Sequence, residues 1–73
     1  MQLEYNGYTL HSECGKSENN RYFVCVVIEK QVNGEMKTGE YFDTSNTYIL
    51  EVEAEKESIN FGKNLIKLGI VSF

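Results

Sequence analysis

The sequence has no proline, no tryptophan, one histidine and only two cysteines among its 73 residues. Without proline or a low-complexity tract nothing reads as a linker, and residues 1–73 are expected to form a single domain. The longest apolar run, Tyr22 to Ile28, is far short of the roughly 18 residues that span a bilayer. No basic start followed by an apolar stretch opens the chain, so no signal peptide is expected. Disulfide-dependent small domains usually carry four or more cysteines, so Cys14 and Cys25 read as reduced thiols in a cytoplasmic protein. Basic residues are few, 7 against 11 acidic, and the formal charge of -4 counts against a phosphate-binding surface.

What is present is near the globular average: 41% apolar, 12% aromatic and 25% charged residues. A chain this short buries only about 60% of the surface its unfolded form exposes, so its own core is marginal. Two Asn-Gly dipeptides, Asn6-Gly7 and Asn33-Gly34, mark hairpin turns, because a type I′ turn needs positive φ at both central positions. The first joins Gln2–Tyr5 to Tyr8–Cys14, and the second joins the β-branched run Tyr22–Ile28 to Met36–Phe42. Gly15–Asn20 and Asp43–Thr47 read as loops.

After that the apolar period lengthens. Ala54, Ser58, Phe61, Leu65 and Leu68 recur at helical spacing, with Ile59 and Ile66 to one side. The glutamates Glu51, Glu53, Glu55 and Glu57 load the first half of this helix, and Lys63 and Lys67 the second, as its dipole favours. Gly69 reads as a left-handed stop that pairs Ile70 with Leu65. Two starts are open: Thr47 caps a helix that begins with Tyr48, whereas strong periodicity begins near Glu51, where Leu50 has no capping side chain. Gly62, which weakens a helix interior, implies close approach to the sheet. The expected fold is α+β: a three- to four-stranded antiparallel β-meander, then one C-terminal α-helix packed on one sheet face.

A two-residue second turn sets Val26 opposite Tyr41 and Cys25 opposite Phe42. Closing the preceding loop at Cys14 and Arg21 sets Leu10 opposite Cys25. In this register the two cysteines lie too far apart to bridge. The helix then covers Tyr8, Leu10, Phe23, Cys25, Val27 and Phe42. It leaves Tyr22, Val24, Val26, Ile28 and Tyr41 as an open apolar face, the mark of a partner-binding site, which the C-terminal tail offers an alternative means of covering.

No catalytic constellation emerges. His11 is the lone histidine, three residues from Cys14 on the opposite side of a strand, and no glycine-rich phosphate loop or nucleophile elbow is present. The paired glutamates lack a histidine or cysteine to complete a metal site, and they read as a solvated helix face. The five tyrosines suit base stacking, but the strands offer only Arg21, Lys30 and Lys37 as a basic groove. Neither cofactor, metal, nucleic acid nor membrane is therefore expected as a partner.

The motifs Tyr5-Asn6-Gly7-Tyr8-Thr9-Leu10, Glu53-Ala54-Glu55 and Phe61-Gly62 flank the apolar central strand. In this order the chain resembles small bacterial proteins of uncharacterised function, about 70 to 100 residues long, with a meander and a closing helix. The resemblance implies a fold and brings no catalytic residues. The expected function is non-catalytic protein association through the open sheet face, most simply as a homodimer. The alternative is a small acidic inhibitor whose glutamates Glu51, Glu53, Glu55 and Glu57 occupy a basic groove on a partner.

Overall fold

The computed structural model describes residues 1–12, 15–32, 36–71 and 73, with the backbone alone at 32 and 36–38. Strands β1 (Gln2–Tyr5), β2 (Tyr8–His11), β3 (Tyr22–Val32) and β4 (Met36–Tyr48) form one antiparallel sheet in chain order. Helix α1 (Glu51–Lys67) follows and packs mainly on β3. The α+β meander-plus-helix architecture is as expected from the sequence, with the N-terminal strand present.

The first hairpin follows its turn chemistry. Tyr5 pairs with Tyr8, and Asn6 and Gly7 hold φ of 51° and 84°, the two positive values of a type I′ turn. The second connection departs from expectation. Leu10 pairs with Ile28 and His11 with Val27, and the isolated bridge of Lys16 to Tyr22 keeps the same register. Ser17 and Arg21 close this hairpin: Ser17 N–H donates to the Arg21 carbonyl at 2.7 Å, and Asn20 N–H to the Ser17 carbonyl at 3.1 Å. Asn20, at φ 58°, supplies the left-handed residue that ends a three-residue hairpin loop. The Ser17 hydroxyl steadies the turn by accepting from Asn19 and Arg21 N–H. The polar run after Gly15 is therefore only partly a loop.

Moving the closure from Cys14 to Ser17 slides β2 by three positions along β3, so Leu10 faces Ile28 rather than Cys25. An odd shift exchanges the faces of the partner strand. The third hairpin shows the same parity change. The Asn33-Gly34 turn lies outside the described residues, but Val32 pairs with Met36, one position on from Glu35. Val26 is thus opposite Phe42, not Tyr41. Strand β4 also runs on through the segment expected as a loop. Cys25 pairs with Asp43 but Phe23 with Thr47, so Thr44, Ser45 and Asn46 bulge opposite Val24. The Thr44 hydroxyl donates to the Val24 carbonyl at 3.2 Å and accepts from Asn46 N–H at 3.0 Å, holding the bulge to β3.

The core forms where the helix crosses this register. Leu10, Val26 and Ile28 are fully buried, joined by Ile59 and Leu65 of α1. Gly62 is the point of closest approach: a Cβ there would lie 3.1 Å from Val26 Cγ2 and 3.4 Å from both Leu10 δ-methyls. Its helix-propensity cost of about 1 kcal/mol is offset by contact that no larger residue permits. Ala54, Ser58 and Leu65 are buried as the helical spacing implies, whereas Phe61 is half-buried and Leu68 is 74% exposed. The buried stripe centres on Gly62, not on the Phe61–Leu68 line. Ser58 belongs in this core because its hydroxyl donates to the Ala54 carbonyl at 2.7 Å and accepts from Cys25 N–H at 3.1 Å. One buried hydroxyl thereby ties helix to sheet.

The helix takes the later of its two possible starts, Glu51, and Leu50 makes no side-chain cap bond. At the other end Gly69, φ 72°, and Ile70 donate to the Ile66 and Leu65 carbonyls at 3.1 and 3.0 Å, the two bonds of a Schellman motif. The tail then folds back. Val71 and Phe73 pack against the core, the Tyr8 hydroxyl donates to the Phe73 carbonyl, and the two rings meet edge-on at 6.0 Å. Because Tyr8 and Leu10 share a face, the described tail residues Val71 and Phe73 lie on the helix side of the sheet.

Cys25 is buried and disulfide-bonded, which corrects the expectation of reduced thiols. Cys14, the chain's other cysteine, lies outside the described residues. The Gly15 carbonyl accepts from Phe23 N–H at 3.2 Å, two residues before Cys25 on β3.

Candidate association surface

The residues expected to form an open face divide. Val24, Val26 and Ile28 are 3%, 0% and 0% exposed beneath the helix, and Tyr22 is half-buried on the same side. They do not form a partner surface: the odd register shifts turn the even-numbered residues of β3 toward α1. Tyr41 alone of the set stays open, at 57% exposure.

The bare face is made by the odd-numbered residues of β3 and their partners. Val27 lies between His11 on β2 and Tyr41 on β4 in one transverse row. Phe23, 39% exposed, lies further along the same strand, with buried Cys25 between them. Glu29, Thr9 and Glu4 make a second row. His11 Nε2 contacts Glu29 Oε1 across the two rows, both side chains being half-buried. The face thus carries an aromatic and aliphatic strip, Phe23, Val27 and Tyr41, bordered by polar side chains. A strip so bordered suits a surface that is wet when alone and covered when paired.

The acidic helix residues also divide. Glu51, Glu53 and Glu57 are exposed, but Glu55 is half-buried, turned toward the sheet, with its carboxylate 3.9 Å from the Met1 ammonium. The expectation of four outward glutamates is corrected for Glu55. Glu51 and Glu55 line a cleft of about 20 Å³ with Ser12, Tyr22, Phe23, Ala54 and Ser58, room for a water and little more. Shallow depressions of about 270 and 200 Å³ lie at the Asn6-Gly7 turn and between α1 and the β4 bulge. The second gathers Thr44, Asn46, Asn60 and Asn64 around Phe61 and Tyr48. Among the described residues no cluster of three or more His, Cys, Asp or Glu could hold a metal ion. No helix among them is long and apolar enough to cross a membrane.

The tyrosines and basic residues serve one another. Lys16, Lys30 and Lys63 place their ammonium groups 5.5, 5.3 and 5.6 Å from the ring centres of Tyr22, Tyr8 and Tyr5. Arg21 donates to the Thr47 hydroxyl at 2.7 Å and carbonyl at 3.0 Å, joining the two ends of the β3–β4 pair. Sequence spacing alone does not reveal most of these pairs, because all but Lys16–Tyr22 join residues more than twenty positions apart. Aliphatics are exposed beside each helix end, Ile49, Leu50 and Val52 at the start and Leu68 and Ile70 at the finish, although helical spacing puts Leu68 on the buried stripe. The signal available is that Ile49, Leu50 and Val52 fall off the periodic stripe.

No family model matches the chain, and no curated protein or solved structure matches it either.

Proposed function

We propose that the protein is a non-catalytic association module that works by pairing its bare sheet face with another protein, most simply a second copy. The observation that carries this reading is Tyr41, 57% exposed beside half-buried Val27 on the sheet face opposite α1, with Phe23 39% exposed further along β3. Face-to-face packing of two sheets buries such strips against each other at about 10 Å separation. A chain of 73 residues with a marginal core gains apolar burial by this route.

The cytoplasmic expectation leans on reduced thiols. The disulfide at Cys25 removes that support and favours an oxidising environment. The acidic reading keeps one observation in its favour: among the described residues, no ion pair engages Glu51, Glu53 or Glu57. Binding to a basic target by that helix start would weaken steeply with salt.

The test is the molar mass in solution by light scattering across a concentration series, for the native chain and for Tyr41→Asp. The native mass rises above the 8.4 kDa of one chain, and Tyr41→Asp stays at it while remaining folded. A native protein that scatters as 8.4 kDa throughout removes the self-association reading.

A further inference from the structure

The two ends of α1 expose apolar side chains of similar extent and carry charges of opposite sign. At the start, Ile49, Leu50 and Val52 are 69%, 53% and 50% exposed beside the carboxylates of Glu51 and Glu53. At the finish, Leu68 and Ile70 are 74% and 54% exposed beside Lys67, which is also exposed. Both ends are held firmly. The start follows a strand tied down by the Arg21–Thr47 bonds, and the finish is fixed by the Schellman bonds at Gly69 and Ile70. Exposed aliphatics on ordered backbone are unlike a fraying terminus, and clustered ones mark contact surfaces.

We propose that these two ends dock on each other between copies, the acidic apolar start of one chain against the basic apolar finish of the next. A helix of 17 residues separates them by about 25 Å, so one chain cannot satisfy its own pair. The occupant follows from complementarity. Each end offers the apolar contact the other lacks, the carboxylates of Glu51 and Glu53 meet the Lys67 ammonium, and the helix dipoles run head to tail. The start of one copy does not suit the start of another, because that brings four carboxylates together. This contact joins different patches on the two copies, so it propagates into a ring or an open array instead of stopping at two. It uses none of the sheet strip and stands apart from the face-to-face pairing.

The experiment is sedimentation velocity in the Tyr41→Asp background, where sheet pairing is removed, with E53K and K67E introduced separately. The Tyr41→Asp protein assembles beyond two copies as concentration rises above the range of the light-scattering series, and salt weakens the assembly. Each single reversal lowers the association constant by at least about tenfold, since it sets like charges face to face. Equimolar mixing of the two reversal variants restores assembly, because the altered start of one meets the altered finish of the other. Leu50→Asp abolishes assembly without rescue by either partner. A Tyr41→Asp protein that remains a monomer at the highest attainable concentration overturns the proposal, and so does mixing that restores nothing. Neither result bears on the face-to-face dimer, which the difference in mass between the native chain and Tyr41→Asp reads within the light-scattering range.

Discussion

The two faces of the sheet are made by the same strands, yet they differ in everything that decides their use. On one, Leu10, Val26 and Ile28 meet Ile59, Leu65 and the bare backbone of Gly62 with no exposure, and Tyr8, Val71 and Phe73 close the margin. On the other, Val27 and Tyr41 sit in a row with His11, next to the His11–Glu29 contact. Both sides of β3 are apolar in sequence, so composition does not separate them. Register does. An apolar strand side becomes core only where an element of the same chain reaches it, and the remainder is available to another molecule.

Several substitutions break this contrast, and the largest effect belongs to the covered face. Ile28→Asp places a carboxylate without a partner where the native side chain is 0% exposed. It costs about 3–5 kcal/mol, much of the stability of a small domain, and urea unfolding followed by circular dichroism reads it as collapse of the fold. A clean folded monomer from Ile28→Asp would place Ile28 on the open side instead. Reduction comes next. Breaking the disulfide at Cys25 lowers stability by about 2–4 kcal/mol, seen as a fall in Tm on adding a thiol reductant. A Tm indifferent to reductant would contradict the bond. Gly62→Leu forces a side chain where a Cβ already lies 3.1 Å from Val26, costing about 1–3 kcal/mol in the same unfolding assay. The smallest effect on stability falls on the bare face: Tyr41→Asp stays within about 0.5 kcal/mol of the native chain. Its consequence is read in mass.

Much of the fold was legible because local chemistry dictates it. Asn6-Gly7 turns as its backbone preferences require, the helix begins at Glu51 without a cap, and Gly69 ends it in the left-handed conformation. The site was less legible, for a reason that can be named. Face assignment depends on the parity of strand register, and parity depends on where each hairpin closes. Ser17 and Arg21 close one in place of Cys14 and Arg21, and Met36 pairs with Val32 in place of Glu35. Three polar residues that pair instead of looping, and one more residue in a turn, are enough to exchange the core strip with the exposed one. The Thr44–Asn46 bulge was invisible because Asp, Thr, Ser and Asn read as loop residues, while the hydroxyl of Thr44 binds them to the strand. Tyr41 falls on the face opposite the helix as expected only because the two odd shifts cancel, so that β3 exchanges its faces while β4 keeps its own.

The most direct test of the central claim, that the bare face is completed by a second molecule, is light scattering of the native chain as concentration is raised. The native mass rises above 8.4 kDa and falls back to it in Tyr41→Asp; a native mass of 8.4 kDa at every concentration would contradict a completed face.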